Sequence, residues 1–180
     1  MRALSRVVAA AALAACAGCK PGVEGQATGL VERYNAALIE AYRSGDPRLV
    51  EGLVSDAEAK KVTGLIGVKY DSGITLDAQL QQFEVTAVEK RSGGVEVRTR
   101  EHWHYVDRRI GTGVQVGPAS DDRYEVAYHL WLANERWVVG ELEFTAEPQV
   151  GRRQAFVGGF KAQHGLVKTI PGASAEGRKQ

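Results

Sequence analysis

From Thr28 the apolar residues fall at helical spacing: Leu30, Tyr34, Ala37, Leu38, Ala41 and Tyr42 recur at i, i+4, i+7 and i+8. The pattern predicts a helix capped by Thr28 and closed at Gly45. Asp46-Pro47 restarts a helix, with Asp46 as N-cap and Leu49, Val50, Leu53 and Val54 as its apolar face. Ser55-Asp56-Ala57-Glu58 has capping-box spacing and opens a third helix, whose buried side is Val62, Leu65 and Ile66. Tyr70-Asp71-Ser72-Gly73 is a turn.

After Gly73 the period becomes two. Leu80–Ala87 is strand-forming, with Phe83, Val85 and Ala87 expected on one face. A turn at Ser92-Gly93-Gly94 leads into the longest alternation. Val95, Val97, Thr99, Glu101, Trp103 and Tyr105 share one face; Glu96, Arg98, Arg100, His102 and His104 share the other. Residues 107–122 hold several glycines, Pro118, Asp121 and Asp122, and read as a long hairpin connection. The third strand sets Tyr124, Val126, Tyr128, Leu130 and Leu132 against Arg123, Glu125, Ala127, His129 and Trp131. After a turn at 133–136, Trp137–Phe144 is the last strand. Helices followed by an antiparallel meander with one apolar face predict an α+β domain, its N-terminal helices packed on a curved antiparallel sheet.

The order of elements, with Tyr124, Val126, Tyr128 and Leu130 leading through a short turn to Trp137 and Val139, resembles the nuclear transport factor 2-like cone. Thr99-Arg100-Glu101-His102-Trp103-His104-Tyr105 also resembles the IMS-type domains of chloroplast division in that superfamily. The resemblance covers residues 28–146 and rests on packing motifs, which speak to fold more than to function. It implies a cone with an open end, and it leaves a homodimer through the sheet face open.

The start of the chain adds an address. Arg2 and Arg6 precede nine apolar residues, Val7–Ala15, too few to span ~30 Å of hydrocarbon. Leu13-Ala14-Ala15-Cys16 resembles the bacterial lipobox at every position. That resemblance implies cleavage before Cys16 and lipid, palmitate included, on Cys16. Several acyl chains hold a protein firmly where one holds it marginally. The expected organisation is a signal peptide at 1–15, a lipidated tether at 16–27, the domain at 28–146 and a tail at 147–180. The location it implies is the bacterial cell envelope, with the domain in the periplasm. Ala17 after Cys16, where enterobacterial sorting reads Asp as an inner-membrane signal, favours the outer membrane. Cys19 is the only other cysteine. Cys16-Ala17-Gly18-Cys19 lacks the strand and helix of a redox motif and the second pair of a zinc site.

Charge changes the picture only regionally. The whole chain carries +1, residues 16–146 carry −5 and residues 147–180 carry +4. A globally basic nucleic-acid binder is not indicated. The tail's charge suits anionic lipid or an acidic partner; the other reading is a largely flexible end with one loosely docked segment.

Candidate chemistry centres on Glu101, a carboxylate on an apolar strand face. Burial penalises the charged form, which suits a carboxyl group to work as a general base. Enzymes that resemble this fold place Asp or His in the cone, yet no second acid or His shares this strand face. The other reading is a structural Glu paired with an Arg or bonded to a Tyr. His102 and His104 point the same way, and His129 has the parity to join them around a metal. The arginines beside them favour a solvated outer face. Trp103, Tyr105, Tyr124, Tyr128 and Trp137 are candidates for an apolar ligand pocket, or else plain core. Neither a phosphate-binding glycine loop nor a nucleophile elbow is present, and no cofactor is expected. The sequence thus supports a non-catalytic binding or assembly module for an envelope protein or a small apolar ligand. The alternative is an isomerase- or cyclase-type pocket enzyme using Glu101.

Overall fold

A computed structural model describes residues 22–144. The segment expected to be a signal peptide, Cys16, Cys19 and the basic tail lie outside the described residues. Helix α1 runs Val23–Ser44 and α2 runs Asp56–Asp71, with a single 3₁₀ turn at Pro47–Val50 between them. Four strands follow: β1 Ile74–Arg91, β2 Gly94–Arg109, β3 Ser120–Ala133 and β4 Arg136–Phe144. They form one antiparallel meander in the order β1-β2-β3-β4. The helices pack on one face of this sheet, so the domain is α+β, as the order of patterns predicts.

Helix α1 starts five residues before Thr28, inside the segment expected to be tether. Gly22 holds the N-cap position without a side-chain bond. The extension buries Ala27 one turn ahead of Leu30 and Val31, and places Glu24 at the positive end of the helix dipole. Gly45 closes the helix as expected, at φ 75°, its N–H donating to the Ala41 carbonyl at 2.9 Å. A Cβ there would stand 2.7 Å from the Tyr70 ring, so the position excludes side chains twice over.

The predicted second helix shrinks to one turn. Asp46 caps it, accepting from the Arg48 N–H at 3.0 Å, but Gly52 turns the chain at φ 77°. Leu53–Ser55 then pairs with the edge of β4. The Val139 N–H donates to the Leu53 carbonyl at 2.8 Å, and the Ser55 N–H donates to the Val139 carbonyl at 2.9 Å. Leu49, expected on an apolar face, is 45% exposed. Ser55 does cap α2, accepting from the Glu58 N–H at 3.2 Å while its hydroxyl donates to the Gly140 carbonyl at 2.7 Å. The far end of α2 is fastened to β2 by Lys69, whose Nζ lies 2.7 Å from both Asp107 oxygens.

Strand β2 runs to Arg109 and β3 begins at Ser120, so the β2–β3 connection is shorter than expected and β1 is longer. Leu76 and Ala78 are buried opposite Asp107 and Tyr105. Register shifts at Leu80/Gln82, Val85/Ala87 and His129/Leu130 bend the sheet. The second of these puts Ala87 opposite Arg98, on the outer face; Val88, opposite Val97, takes its expected place inside. The β3–β4 turn is a two-residue hairpin with Asn134 at φ 50° and Glu135 at φ 64°. The core lies between α1, α2 and the inner face, around Leu30, Tyr34, Val97, Val126, Tyr128 and Leu130.

Candidate functional site

The inner face of the sheet and α1 line a small, partly open cavity. From the sheet come Glu101, Trp103, Tyr105, Tyr124 and Tyr128; from α1 come Tyr34, Asn35, Leu38 and Tyr42. Its volume is about 30 Å3, room for roughly two waters. Four of the five aromatic residues singled out in the sequence therefore meet in one wall. Trp137 does not: it stands opposite Leu132, toward the far end of β4, half-buried against the core. Leu132 itself is 59% exposed rather than inside; it lies one residue past Trp131, where the pairing of β3 with β2 ends. The rings interlock. Trp103 and Tyr105 stack at 5.8 Å with planes 3° apart, and Tyr34 meets Tyr128 edge-on at 6.2 Å.

Glu101 is 4% exposed and sits in this wall. Its Oε1 accepts from the Tyr128 hydroxyl at 2.7 Å, the Thr99 hydroxyl at 2.8 Å and the Asn35 amide at 3.4 Å. Its Oε2 accepts from the Trp103 indole N–H at 2.7 Å. Tyr128 also donates to the Asn35 carbonyl oxygen at 3.2 Å. Burial raises the Tyr34, Tyr105 and Tyr128 hydroxyls well above the usual tyrosine range, so they stay protonated donors at neutral pH. The geometry makes Glu101 the acceptor hub of a buried network, bonded to a Tyr as the structural reading of the sequence has it. Asn35 escaped the sequence reading. Its signal was a lone amide four residues after Val31, within the buried stripe of α1.

Asp122 falls in the stretch whose composition reads as the long connection, so the alternation does not single it out. It is 6% exposed and lies on the inner face opposite Trp103. Its Oδ2 accepts from the Tyr124 hydroxyl at 3.3 Å and the Ser120 hydroxyl at 3.5 Å. Its Oδ1 is buried and has no hydrogen-bond partner among the described residues. Desolvation raises this carboxyl above the ordinary range, against the two hydroxyls, which lower it.

The three histidines do not converge. His102 and His104 flank Asp121 on the outer face, at 3.7 Å and 2.9 Å. His129 stands opposite Glu96, six positions along β2 from His102, or about 20 Å at the strand rise. Between them run Arg98 and Arg100, paired with Glu96 and with Glu84 and Glu125. Among the described residues no group of three or more His, Cys, Asp or Glu is placed to hold a metal ion. No described helix is long and apolar enough to cross a membrane.

Glu58, the capping-box acid, is fully buried, with Lys61 Nζ at 3.0 Å. Burial raises its carboxyl and the Lys61 ammonium opposes that. With a raised folded value, the native state binds more protons than the unfolded chain in the window just above the ordinary carboxyl range. Glu58 therefore costs stability as pH rises through that window. Replacing Glu58 by Gln should remove this slope. Urea unfolding between about pH 4 and 7 should show E58Q gaining on the wild type as pH rises; parallel curves would refute the assignment.

No protein-family model matches the chain, and no curated protein matches it in sequence. Solved structures do match in fold. The intermembrane space region of the chloroplast protein ARC6 aligns over 71% of this chain and 100% of its own, at 12% identity and TM-score 0.61. An Ntf2-like protein involved in plasmid conjugation aligns over 74% of this chain, at 13% identity and TM-score 0.50. This chain spans about half the length of that second protein, 53%. At such identities the likeness is one of fold: two helices on a curved four-stranded antiparallel sheet, with nuclear transport factor 2-like neighbours.

Proposed function

We propose that this chain is a cell-envelope lipoprotein, held by lipid on Cys16, whose domain is a non-catalytic binding or assembly module. The observation that supports the second half is the state of Glu101. The candidate base is committed to four protein donors beside a cavity with room for about two waters. A group so committed has little left with which to take a proton from a substrate. So small a cavity also favours a partner protein over an apolar ligand. The first half rests on the lipobox at Leu13–Cys16. In the same reading the domain faces the periplasm, close to the membrane. With α1 starting at Val23, the six residues 17–22 that remain as tether reach at most ~21 Å. Ala17 favours the outer membrane. The ARC6 region that shares the fold also lies in a space between membranes.

Cells labelled with palmitate should incorporate it into the wild type and not into Cys16→Ala, and C16A should leave the membrane fraction. A native protein with the leader attached and the thiol unmodified would end the envelope reading. Crosslinking the lipidated protein in intact envelopes should then trap a defined protein partner. A pocket enzyme would instead show Glu101→Gln losing turnover at unchanged stability.

A further inference from the structure

Helix α1 enters the domain at one end of the sheet. Its Asn35 meets Glu101 on β2. Farther along, Tyr42 shares a small pocket with Ile74, Thr75 and Leu76, and these pair with or lie beside the last residues of β2. Toward its start, α1 therefore runs back along β2 to that strand's first residues. The helix rises about 18 Å from Asn35 to Val23. The strand covers about 20 Å from Glu101 to Val95. Val23 thus stands level with the β1–β2 and β3–β4 turns.

That end of the sheet carries exposed apolar side chains. Trp131, opposite Gly94, is over a third exposed, and Leu132 beside it over half. Trp137 lies opposite Leu132, half-buried, and Val23 is exposed at the start of α1. Phe144, the last described residue, lies down β4 from Arg136, about 26 Å from this end. Charge is balanced here. Lys90 and Arg136 are exposed alongside Glu24 and Glu135, and Arg91 pairs with Glu89 and Glu96. A near-neutral apolar rim bearing tryptophan suits the interface of a bilayer.

We propose that this end of the domain rests on the bilayer that holds Cys16, with Leu132 and Trp131 entering the headgroup layer. The proposal rests on the lipoprotein reading of Cys16 and adds a second, non-covalent contact to it. Residues 17–22 keep the rim within ~21 Å of the lipid, whereas Ile110, just past the other end of β2, is about 50 Å farther along the strand. So short a tether raises the local concentration of lipid, and a small apolar contact then suffices. The orientation turns the Tyr105–Ser120 end of the ladder toward the periplasm, where an envelope partner would meet it.

The test anchors the full mature chain, residues 16–180 with Cys19→Ser, by coupling the Cys16 thiol to a maleimide-headgroup lipid. The vesicles are phosphatidylethanolamine and phosphatidylglycerol with acyl chains brominated near the headgroup. Bromine should quench the tryptophan fluorescence at least about twofold more in the wild type than in Trp131→Phe, since Trp103 is buried. Leu132→Ser should reduce the quenching toward the W131F level. Val114→Ser, an equally apolar site at the far end, should leave it unchanged. Equal quenching in the wild type and W131F overturns the proposal, as does an L132S protein quenched like the wild type. Shielding of Trp131 from aqueous iodide that rises with surface density, without bromine quenching, overturns it too, by assigning this end to a second copy. Because the anchor is made chemically, a failure here counts against the bilayer contact, and an unacylated Cys16 in cells counts against the lipoprotein reading.

Discussion

Replacing Glu101 with Ala should cost about 3–4 kcal/mol of folding stability, read as a drop in the urea midpoint. The truncation strands the donors that converge on one buried carboxyl group. They are not equally stranded. The Tyr128 hydroxyl keeps Asn35 as an acceptor, and the Thr99 hydroxyl can rotate. The Trp103 indole N–H is fixed in its ring and loses its 2.7 Å partner outright. Glu101→Gln should fall between, because an amide oxygen still serves Tyr128 while its NH2 confronts the indole. Adding Trp103→Phe to E101A should recover part of the loss, by removing the orphaned donor. A loss below about 1 kcal/mol for E101A would show that the network does not hold the core, and would reopen Glu101 as a group kept for chemistry.

A comparable loss, about 2–3 kcal/mol, is expected from Gly94→Ala at the start of β2. A Cβ there would overlap the carbonyl oxygen of Leu130 on the adjacent strand. That atom is backbone, so relief requires β2 and β3 to part where Val95 and Leu130 meet in the core. Gly140→Ala provides the contrast. Its Cβ would strike the Trp131 ring, a side chain 37% exposed that can swing into solvent. Unfolding curves should therefore rank G94A well below G140A. The reverse order would mean the β2–β3 contact yields more easily than the ring does.

The polar network explains why the candidate site was half legible. Strand alternation placed Glu101, Trp103, Tyr105, Tyr124 and Tyr128 on one inner face, because a period of two fixes facing without knowledge of neighbours. It did not supply Asn35, which lies 66 positions away on α1. Nor could it distinguish a base poised for a substrate from a carboxyl group saturated by its own protein; that depends on which side chains arrive from elsewhere. Asp122 was lost for a related reason. A strand's end is set by how far its partner runs, and β2 holds β3 in the ladder back to Ser120, through a stretch whose composition reads as loop.

By itself the chain's pattern of apolar positions determined the order of helices and strands, the α+β class, the cap at Ser55 and the charged outer face with His102 and His104, since each follows from local periodicity and turn chemistry. Tertiary structure decided the rest. Pairing of residues 53–55 with β4 cut the second helix to one turn, and a bulge sent Ala87 outward. The end of the β2–β3 ladder left Leu132 exposed, and distance along that ladder kept His129 from the other histidines. Each of these outcomes depends on contacts between segments far apart in sequence, where burial and hydrogen-bond satisfaction outweigh local preference.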